Sequence, residues 1–390
     1  MRGWKEYILE EVIDKFIDYR GKTPVKTNSG VPLITAKIVK QGRILEPNEF
    51  IAESDYESWM TRGYPEINDL VITTEAPLGE VALIKNKHVA LAQRIITLQT
   101  KKKLCDSIFL KYYFQSNIGQ GILQARASGS TVEGIKSAEL KMVEISLPPL
   151  PEQTAIAEVL GSLDDKIDLL HRQNKTLEQL AETLFRQWFV EDAEESWEET
   201  SLFESINLVG GGTPKTDRLE YWNGNIKWLA GGDIASSHKG FITNTEKTIS
   251  ELGLRNSSAK LLPQFATVIS ARGTVGKYCL LSEPMTFSQS NYGITPKFGD
   301  CFFFTYLLIA FSVDELQAAA YGSVFDTITT NTFKEHKIRL PEIPVIQQFE
   351  KSVTPYFQKI KSNTQQIHTL TKLRDTLLPK LMSGEVRINN

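Results

Sequence analysis

The sequence predicts an α+β fold in which two tandem, pseudo-twofold-related domains are separated by two long helices that form an antiparallel coiled coil. The first observation behind this prediction is an internal repeat with an offset of about 193 residues, since Trp4 recurs as Trp197. The second is a set of short β-rich runs in each repeat, and the third is a long heptad pattern at the end of each. Two similar but diverged units favour a partner that offers two non-identical binding places.

The repeat is clearest where each mixed region leads into its helix. Residues 129–148 recur as 322–341, and residues 166–184 recur as 359–377. Between these anchors the two halves diverge. We therefore expect one scaffold used twice, with different side chains on it.

Short β-rich runs bounded by Gly, Pro, Asn and Ser are typical of strands joined by turns. They lie at 31–34, 70–72, 81–84, 226–229 and 267–270. Helical stretches lie at 106–126 and 302–320. The predicted boundaries are 1–150 for the first α+β domain, 151–190 for the central helix, 191–343 for the second domain and 344–390 for the C-terminal helix.

A Pro-rich joint ends each mixed region, and a proline at the first helical position is pre-set for helix. After each joint, seam residues alternate at spacings of four and three over more than four heptads, which predicts a coiled coil. In the first half they are Ile156, Leu160, Leu163, Ile167, Leu170, Asn174, Leu177, Ala181, Leu184 and Trp188. In the second half they are Ile346, Phe349, Val353, Tyr356, Ile360, Asn363, Ile367, Leu370, Arg374, Leu377 and Leu381, with Gly384 as a C-terminal cap.

The two seam asparagines predict the register of the helix pair. If Asn174 faces Asn363 in an antiparallel pair, every seam residue meets a seam residue; for example, Leu160 meets Leu377. One buried Asn pair can fix register at some cost in stability. The alternative is that each Asn lies separately at a partly wet edge.

Composition predicts a soluble, cytoplasmic protein. Apolar residues make up 41% and charged residues 23% of the chain, as in globular domains. The start lacks the apolar core of a signal peptide, no stretch approaches ~18 uncharged apolar residues, and the three separated cysteines suit a reducing compartment. The net charge of −3 means that any DNA binding requires basic groups gathered on one face.

A search for catalytic and metal-binding patterns predicts a chain without catalytic residues and without a metal site. Gly21-Lys22-Thr23 lacks the earlier glycine of a phosphate-binding loop, and Gly210-Gly211-Gly212 lacks the dinucleotide-binding spacing. The five histidines have no zinc-type spacing. Pro148 and Pro149 are flanked by leucines, unlike the tetrapeptide of adenine methyltransferases.

Several loops combine basic, hydroxyl, amide and aromatic side chains, which can contact phosphates and base edges. The alternative for any one of them is a solvated loop residue. In the first half the predicted DNA-binding residues are Arg20, Lys22, Thr23, Lys37, Lys40, Arg43, Gln93, Arg94, Arg126, Ser128, Ser130 and Thr131. In the second half they are Thr213, Lys215, Arg272, Thr274, Lys277, Gln289, Ser290, Asn291, Tyr292, Tyr321 and Ser323. The repeat aligns Arg94 with Ser290, so the two halves would read different bases.

The order of these motifs resembles that of the specificity subunits of type I restriction–modification systems. The similarity lies in Leu147-Pro148-Pro149-Leu150-Pro151-Glu152-Gln153 running into the first helix, Gly211-Gly212-Thr213-Pro214 opening the second domain, and Leu377-Leu378-Pro379-Lys380-Leu381 near the end. The second joint departs from this pattern, with Val345-Ile346-Gln347-Gln348 in place of a Glu-Gln pair.

The resemblance implies a DNA-reading subunit with two target-recognition domains, each reading one half of a bipartite, asymmetric site. The helix pair would set the spacer and dock two modification subunits. No cofactor is expected in this chain; S-adenosylmethionine, ATP and Mg are expected in the modification and restriction subunits that join it. The alternatives are a standalone methyltransferase or nuclease with an unrecognised site, and a coiled-coil adaptor that does not bind DNA.

Three aromatic side chains near the end of the first helix exceed what the seam requires. They are Phe185, Trp188 and Phe189. We predict that they form a partner-binding surface. The alternative is burial against the second domain.

Overall fold

The computed structural model describes residues 3–129, 132–321 and 326–388. They form two compact units: unit 1 is Met1–Lys166 with Leu370–Asn390, and unit 2 is Ile167–Thr369. Each unit therefore combines one mixed α+β region with part of both long helices.

Unit 1 contains short strands and helices that lead into the first long helix. The strands are β1 Lys5–Ile8, β2 Ile13–Asp18, β3 Val31–Ile34, β4 Val39–Lys40, β5 Arg43–Ile44, β6 Phe50–Ile51, β7 Leu70–Thr74, β8 Leu78–Leu83, β9 Ala90–Leu91, β10 Ile95–Thr100 and β11 Glu144–Leu147. The helices are α1 Leu9–Val12, α2 Tyr56–Trp59, α3 Ser107–Gln115, α4 Asn117–Ala125 and α5 Ser137–Lys141, and the first long helix, α6 Leu150–Arg186, begins in this unit.

Unit 2 has a similar sequence of elements. The strands are β12 Glu198–Ser201, β13 Ile206–Gly210, β14 Trp222–Leu229, β15 Phe241–Ile242, β16 Lys247–Ile249, β17 Thr267–Ser270, β18 Tyr278–Leu281, β19 Thr286–Phe287, β20 Asn291–Pro296 and β21 Lys337–Leu340. The helices are α7 Leu202–Ser205, α8 Gly231–Ser236, α9 Glu251–Arg255, α10 Phe302–Tyr321 and α11 Thr330–Glu335, and the second long helix, α12 Ile343–Met382, begins in this unit.

The sheets repeat one topology in both units. The main sheet has the order β2-β10-β7-β8 in unit 1 and β13-β20-β17-β18-β15 in unit 2. A smaller sheet has a central strand with one antiparallel and one parallel neighbour, β6-β3-β9 or β16-β14-β19. The strand before each long helix pairs antiparallel with the first strand of its domain, β11 with β1 and β21 with β12. The predicted duplicated α+β architecture is confirmed.

The core of each unit lies where the main sheet meets a helix. All residues of β7 and of β17 are buried, as expected for strands covered on both faces. In unit 1 the Asp106 side chain begins α3 by accepting hydrogen bonds from the N–H groups of Ile108 and Phe109. In unit 2, α10 is apolar enough by composition to cross a membrane, but 56% of it is buried within the unit, as in a core helix.

The long helices begin within one residue of their predicted starts. α6 ends at Arg186 and continues as the π-helical turn Gln187–Glu191. α12 ends at Met382, and Gly384 follows with φ +70° while its N–H donates to the Leu381 carbonyl. This left-handed residue caps the helix as predicted, because glycine adopts positive φ without a Cβ clash.

The helices pack antiparallel in each unit. In unit 1 the seam residues Ile156, Leu160 and Leu381 are buried in one cluster, with Leu377 packed against it. In unit 2 the Asn363 Nδ2 donates to Asn174 Oδ1 at 2.9 Å, and the two side chains are 1% and 9% exposed. The facing-asparagine register is therefore confirmed.

Candidate nucleic-acid interface

Three of the predicted DNA-binding loops of unit 1 meet at the end of β7. The N–H of Thr74 donates to the Arg94 carbonyl, and the N–H of Ile135 donates to the Thr74 carbonyl, both at 2.9 Å. Arg20 Nη2 donates to the Ile135 carbonyl at 2.8 Å, which ties the first loop to the same place. Ser128 reaches this point through its backbone pairing with Gly134. We call this meeting point the junction of unit 1.

Arg94 is the second basic side chain at this junction, beside Arg20. Its Nε lies 2.8 Å from Glu75 Oε1, and the two side chains are 54% and 40% exposed. An exposed ion pair contributes only about 0–1 kcal/mol, so Arg94 can exchange Glu75 for a phosphate or a base edge at little cost. Arg94 also has φ +72°, a conformation that a non-glycine residue keeps only when its surroundings hold it.

The same junction recurs in unit 2 with different side chains. The N–H of Ala271 donates to the Ser290 carbonyl at 3.0 Å, and the N–H of Ile328 donates to the Ala271 carbonyl at 3.1 Å. Ser290 therefore occupies the place of Arg94, as the repeat predicts. Arg272, which follows Ala271 and is exposed, stands where unit 1 has Glu75.

Most other predicted residues of unit 2 lie near this junction in the chain, but they differ in exposure. Arg272, Gln289 and Tyr321 are exposed, whereas Thr274, Lys277 and Tyr292 are partly buried. Asn291 does not fit the prediction of an exposed contact. Its side chain is 1% exposed and donates to Ser288 Oγ at 2.8 Å, so it shapes the loop from inside.

The loop at the start of the second domain is held by two tryptophans. Trp228 Nε1 donates to the Gly212 carbonyl at 2.9 Å, and Trp222 Nε1 donates to the Lys215 carbonyl at 3.1 Å. A Cβ on Gly212 would lie 2.2 Å from the backbone of Ser258, so only glycine fits there. These contacts leave Lys215 exposed and Thr213 partly buried.

The other predicted basic residues of unit 1 are held by different contacts or are exposed. Lys40 and Arg43 lie in the β4–β5 hairpin and Lys37 precedes it; a 2.7 Å hydrogen bond from the Gln41 N–H to Glu80 Oε2 places the hairpin beside β8. Lys37 Nζ lies 3.8 Å from Glu49, and Arg126 Nη1 lies 3.2 Å from Glu139. Lys22 and Thr23 are exposed and Gln93 is partly buried, while Ser130, Thr131 and Ser323 lie outside the described residues.

Sequence reasoning missed a buried charge network in unit 1. Asp164 of α6 accepts hydrogen bonds from Lys111 Nζ at 2.8 Å, Tyr112 OH at 2.7 Å and Arg374 Nη1 of α12 at 2.9 Å. Burial opposes the charge of Asp164, but these donors outweigh it and hold the pKa of its carboxyl below the usual range. Burial lowers the pKa of Lys111, and Asp164 partly opposes that shift. The network fixes the domain helix α3 onto both long helices.

Unit 2 uses aromatic rings at the corresponding place. Phe357, the repeat position of Asp164, stacks on Phe303 with centroids 4.5 Å apart and planes 2° apart. Tyr306 meets Phe357 edge-on at 5.5 Å. Each mixed α+β region is therefore anchored to the long helices by its own set of side chains.

α12, which follows the divergent second joint, binds the N-terminus of α10 through Glu350. Glu350 accepts hydrogen bonds from the N–H groups of Phe303 at 3.1 Å and Phe304 at 2.7 Å. In unit 1 the comparable contact comes from Gln153, which accepts from the Asp106 N–H. Burial raises the pKa of Glu350 to about 7, against the effect of the N–H donors.

The predicted partner-binding aromatics pack mainly inside unit 2. Phe185 is 4% exposed and contacts Phe304 and Phe349, which is the alternative of burial against the second domain. Trp188 and Phe189 are partly buried against the same cluster. The prediction that Phe185 contributes to a partner-binding surface is therefore wrong, because its ring is enclosed by the core, whereas the same role for Trp188 and Phe189 stays a prediction.

Comparisons with known proteins agree with this architecture. The family model described as "Type I restriction modification DNA specificity domain" matches residues 1–179 and 194–372, once for each half. The chain is 27% identical over 359 residues to the type I restriction enzyme MjaIX specificity subunit of Methanocaldococcus jannaschii, covering 87% of this chain and 82% of that one. It is 24% identical over 337 residues to the HindI specificity subunit of Haemophilus influenzae, covering 67% and 73%.

A solved structure supports the fold. The crystal structure of the type I restriction–modification S subunit from M. genitalium superposes with a TM-score of 0.65 at 18% identity, covering 97% of this chain and 96% of that one. Two matches to the family model along most of the chain, on a duplicated fold, decide the assignment. The chain belongs to the family of DNA specificity subunits of type I restriction–modification systems.

Proposed function

We propose that this chain is the non-catalytic DNA-reading subunit of its complex, in which each target-recognition domain reads one half of a bipartite, asymmetric site. The observation that carries the proposal is the junction built twice from the same backbone hydrogen bonds but with different side chains. One copy presents Arg94 beside Glu75, and the other presents Ser290 beside Arg272. Side chains that differ on one scaffold suit two half-sites of different sequence.

The helices would set the distance between the half-sites. α6 has 37 residues and is about 55 Å long at ~1.5 Å per residue, which corresponds to about 16 base pairs at ~3.4 Å each. Inserting one heptad into both helices should move the half-sites apart by ~10 Å, or ~3 base pairs. An unchanged spacer in that variant would refute the role of the helices as a ruler.

The catalytic work would belong to partners in the cytoplasm. Two modification subunits would bind S-adenosylmethionine and methylate DNA, and restriction subunits would supply ATP- and Mg-dependent cleavage. What supports this division is the membership of the chain in the specificity family, together with the absence of any recognised catalytic pattern in its sequence.

The test is a map of methylated adenines in cells that express the complete complex. We expect Arg94→Ala to relax the sequence of one half-site and Arg272→Ala to relax the other, each by about 1–3 kcal/mol of discrimination. The Lys297→Ala variant is a matched control, because Lys297 is a cation that pairs with Glu204 and belongs to none of the predicted loops. Relaxation of both half-sites by one substitution would contradict the assignment of one domain to each half-site.

Two simpler measurements separate the alternative functions. Binding of S-adenosylmethionine to the isolated chain in a calorimeter would favour a standalone methyltransferase. An assembled complex that binds duplex DNA no better than its modification subunits alone, at any salt concentration, would favour an adaptor.

A further inference from the structure

A helix glutamine binds the same hairpin turn in both units. The turn joins β7 to β8 in unit 1 and β17 to β18 in unit 2. In unit 1, Gln120 Nε2 of α4 donates to the Gly79 carbonyl at 2.8 Å, and in unit 2, Gln317 Nε2 of α10 donates to the Val275 carbonyl at 2.7 Å. Gly79 and Gln120 are 41 residues apart, as are Gly276 and Gln317. We call each of these two pairs a Gly–Gln clamp.

Both partners of each clamp are held in place. Gly79 has φ +82° and Gly276 has φ +77°, a conformation that residues with a Cβ rarely adopt. A Cβ on Gly79 would lie 2.8 Å from Gln120 Oε1, and a Cβ on Gly276 would lie 2.5 Å from Gln317 Cγ, so the backbone of the hairpin passes directly against the glutamine. Gln120 Nε2 also donates to the Phe114 carbonyl of α3 at 2.6 Å, which fixes its amide.

The clamped turn is the one that forms the junction. In unit 1 the turn contains Glu75, the ion-pair partner of Arg94, and the two junction hydrogen bonds are made by Thr74 directly before it. In unit 2 the turn contains Arg272, and the two junction hydrogen bonds are made by Ala271. The junction therefore fixes the chain where it enters the turn, and the clamp fixes it where it leaves the turn.

The helix that supplies each glutamine also leads into a segment that contacts the turn from the junction side. After α4, Gly134 pairs with Glu75 in an isolated β-bridge. After α10, the Ile328 N–H donates to the Ala271 carbonyl at 3.1 Å. One helix thus holds the turn through its glutamine and through the segment that follows it. A movement of the turn relative to this helix would displace the junction side chains.

We propose that Gln120 and Gln317 are positioning residues for DNA recognition, each acting on the half-site that its own unit reads. The inference rests on the proposed function above. Gln120 fixes the turn of Glu75, and Gln317 fixes the turn of Arg272. Each glutamine acts through the backbone of the turn, because its amide is bound to a carbonyl there. A hydrogen bond to a base edge weakens steeply when its donor tilts or moves away, so a loosened turn loses selectivity for bases.

The test measures the dissociation constants of the complete complex for four duplexes. One carries both half-sites found in the map of methylated adenines, two have one half-site scrambled, and one has both scrambled. The variants are Gln120→Met and Gln317→Met, because methionine is unbranched and fills similar space but has no N–H donor. Gln124→Met is the matched control, since Gln124 is exposed one turn later on α4. Thermal unfolding of each free chain checks that the fold is retained.

Gln120→Met should reduce the selectivity for one half-site about tenfold and leave the other unchanged, and Gln317→Met should do the reverse. Binding to the fully scrambled duplex should not change, because it depends on phosphate contacts. Gly79→Ala places a Cβ against the Gln120 amide, so it is a second variant of the first clamp and should affect the same half-site as Gln120→Met.

Two results would overturn the inference and leave the proposed function intact. One is wild-type selectivity at both half-sites in Gln120→Met, Gln317→Met and Gly79→Ala. The other is equal weakening of binding to all four duplexes, which indicates a merely structural role. A wild-type complex that binds all four duplexes equally would overturn the proposed function and this inference with it.

Discussion

The substitution Asp164→Asn tests the buried charge network of unit 1. The Asp164 carboxylate accepts from Lys111, Tyr112 and Arg374 at 2.7–2.9 Å, and the side chain of Lys111 is only 7% exposed. Asparagine keeps the shape but removes the negative charge, and its amide can accept at one oxygen only. Lys111 then remains in a largely buried site without its counter-charge, while Arg374 keeps its ion pair with Asp375 at 2.8 Å.

Removing one partner from a buried ion pair costs about 3–5 kcal/mol. We expect the lower end of this range, about 3 kcal/mol, because asparagine can still accept a hydrogen bond and Asp164 is itself 15% exposed. At ~1.36 kcal/mol per factor of ten, this corresponds to an increase of about 150-fold in the opening of α3. The pKa of Asp164 is lower in the folded chain than in the unfolded one, so its contribution is complete above about pH 4 and is lost as the pH falls through the folded value.

Hydrogen–deuterium exchange of the full-length chain at neutral pH measures this opening directly. Peptides from α3 should exchange about 150-fold faster in Asp164→Asn, whereas peptides from α10 of unit 2 serve as the internal reference. Asp165→Asn is the matched control because Asp165 is exposed. If α3 exchanges at the same rate in both variants, the network does not anchor the domain and the reasoning fails.

Three further predictions concern stability. Asn363→Leu removes the donor to the buried Asn174 Oδ1 and should lower the thermal midpoint by an amount equivalent to about 1–3 kcal/mol. A midpoint unchanged from wild type would contradict this. Burial raises the pKa of Glu350 from 4.5 to about 7, so the folded chain holds a proton that the unfolded chain has already released. The free energy of unfolding should therefore fall by up to ~3 kcal/mol as the pH rises from about 4.5 to 7. The thermal midpoint of Glu350→Gln should change less with pH across that range than that of wild type. Gly212→Ala should destabilise unit 2 by about 1–3 kcal/mol in urea unfolding, since the new Cβ would clash with the backbone of Ser258. Gly232→Ala is the control and should show no such loss, because no heavy atom lies within 4 Å of the position of its Cβ.

The sequence predicted those parts of the fold that depend on local periodicity and on the repeat. Heptad spacing located both long helices and the Asn174–Asn363 pair, and runs of apolar residues located β7 and β17. The alignment of Arg94 with Ser290 was also correct, because the repeat preserves the backbone positions around them.

Long-range packing was not readable from local patterns. Lys111 has the polarity of a surface residue, and only the folded chain brings it to Asp164. Asn291 and Phe185 were assigned outward roles by residue type, but the loop and the core enclose them. Among the predicted DNA-binding residues, exposure and the junction contacts could be obtained only from the structure, since side-chain direction in loops follows no period.

The facing asparagines also favour pairing of the first long helix with the second over pairing of either helix with a second copy of itself. If two first helices paired in the same register, Asn174 would face Leu170, and if two second helices paired, Asn363 would face Ile367. Either combination would bury an amide against a hydrocarbon side chain, at a cost of about 1–3 kcal/mol for each amide. Under the proposed function, a like-with-like assembly would carry two identical recognition domains and read a palindrome, so the Asn174–Asn363 contact would favour an asymmetric DNA site.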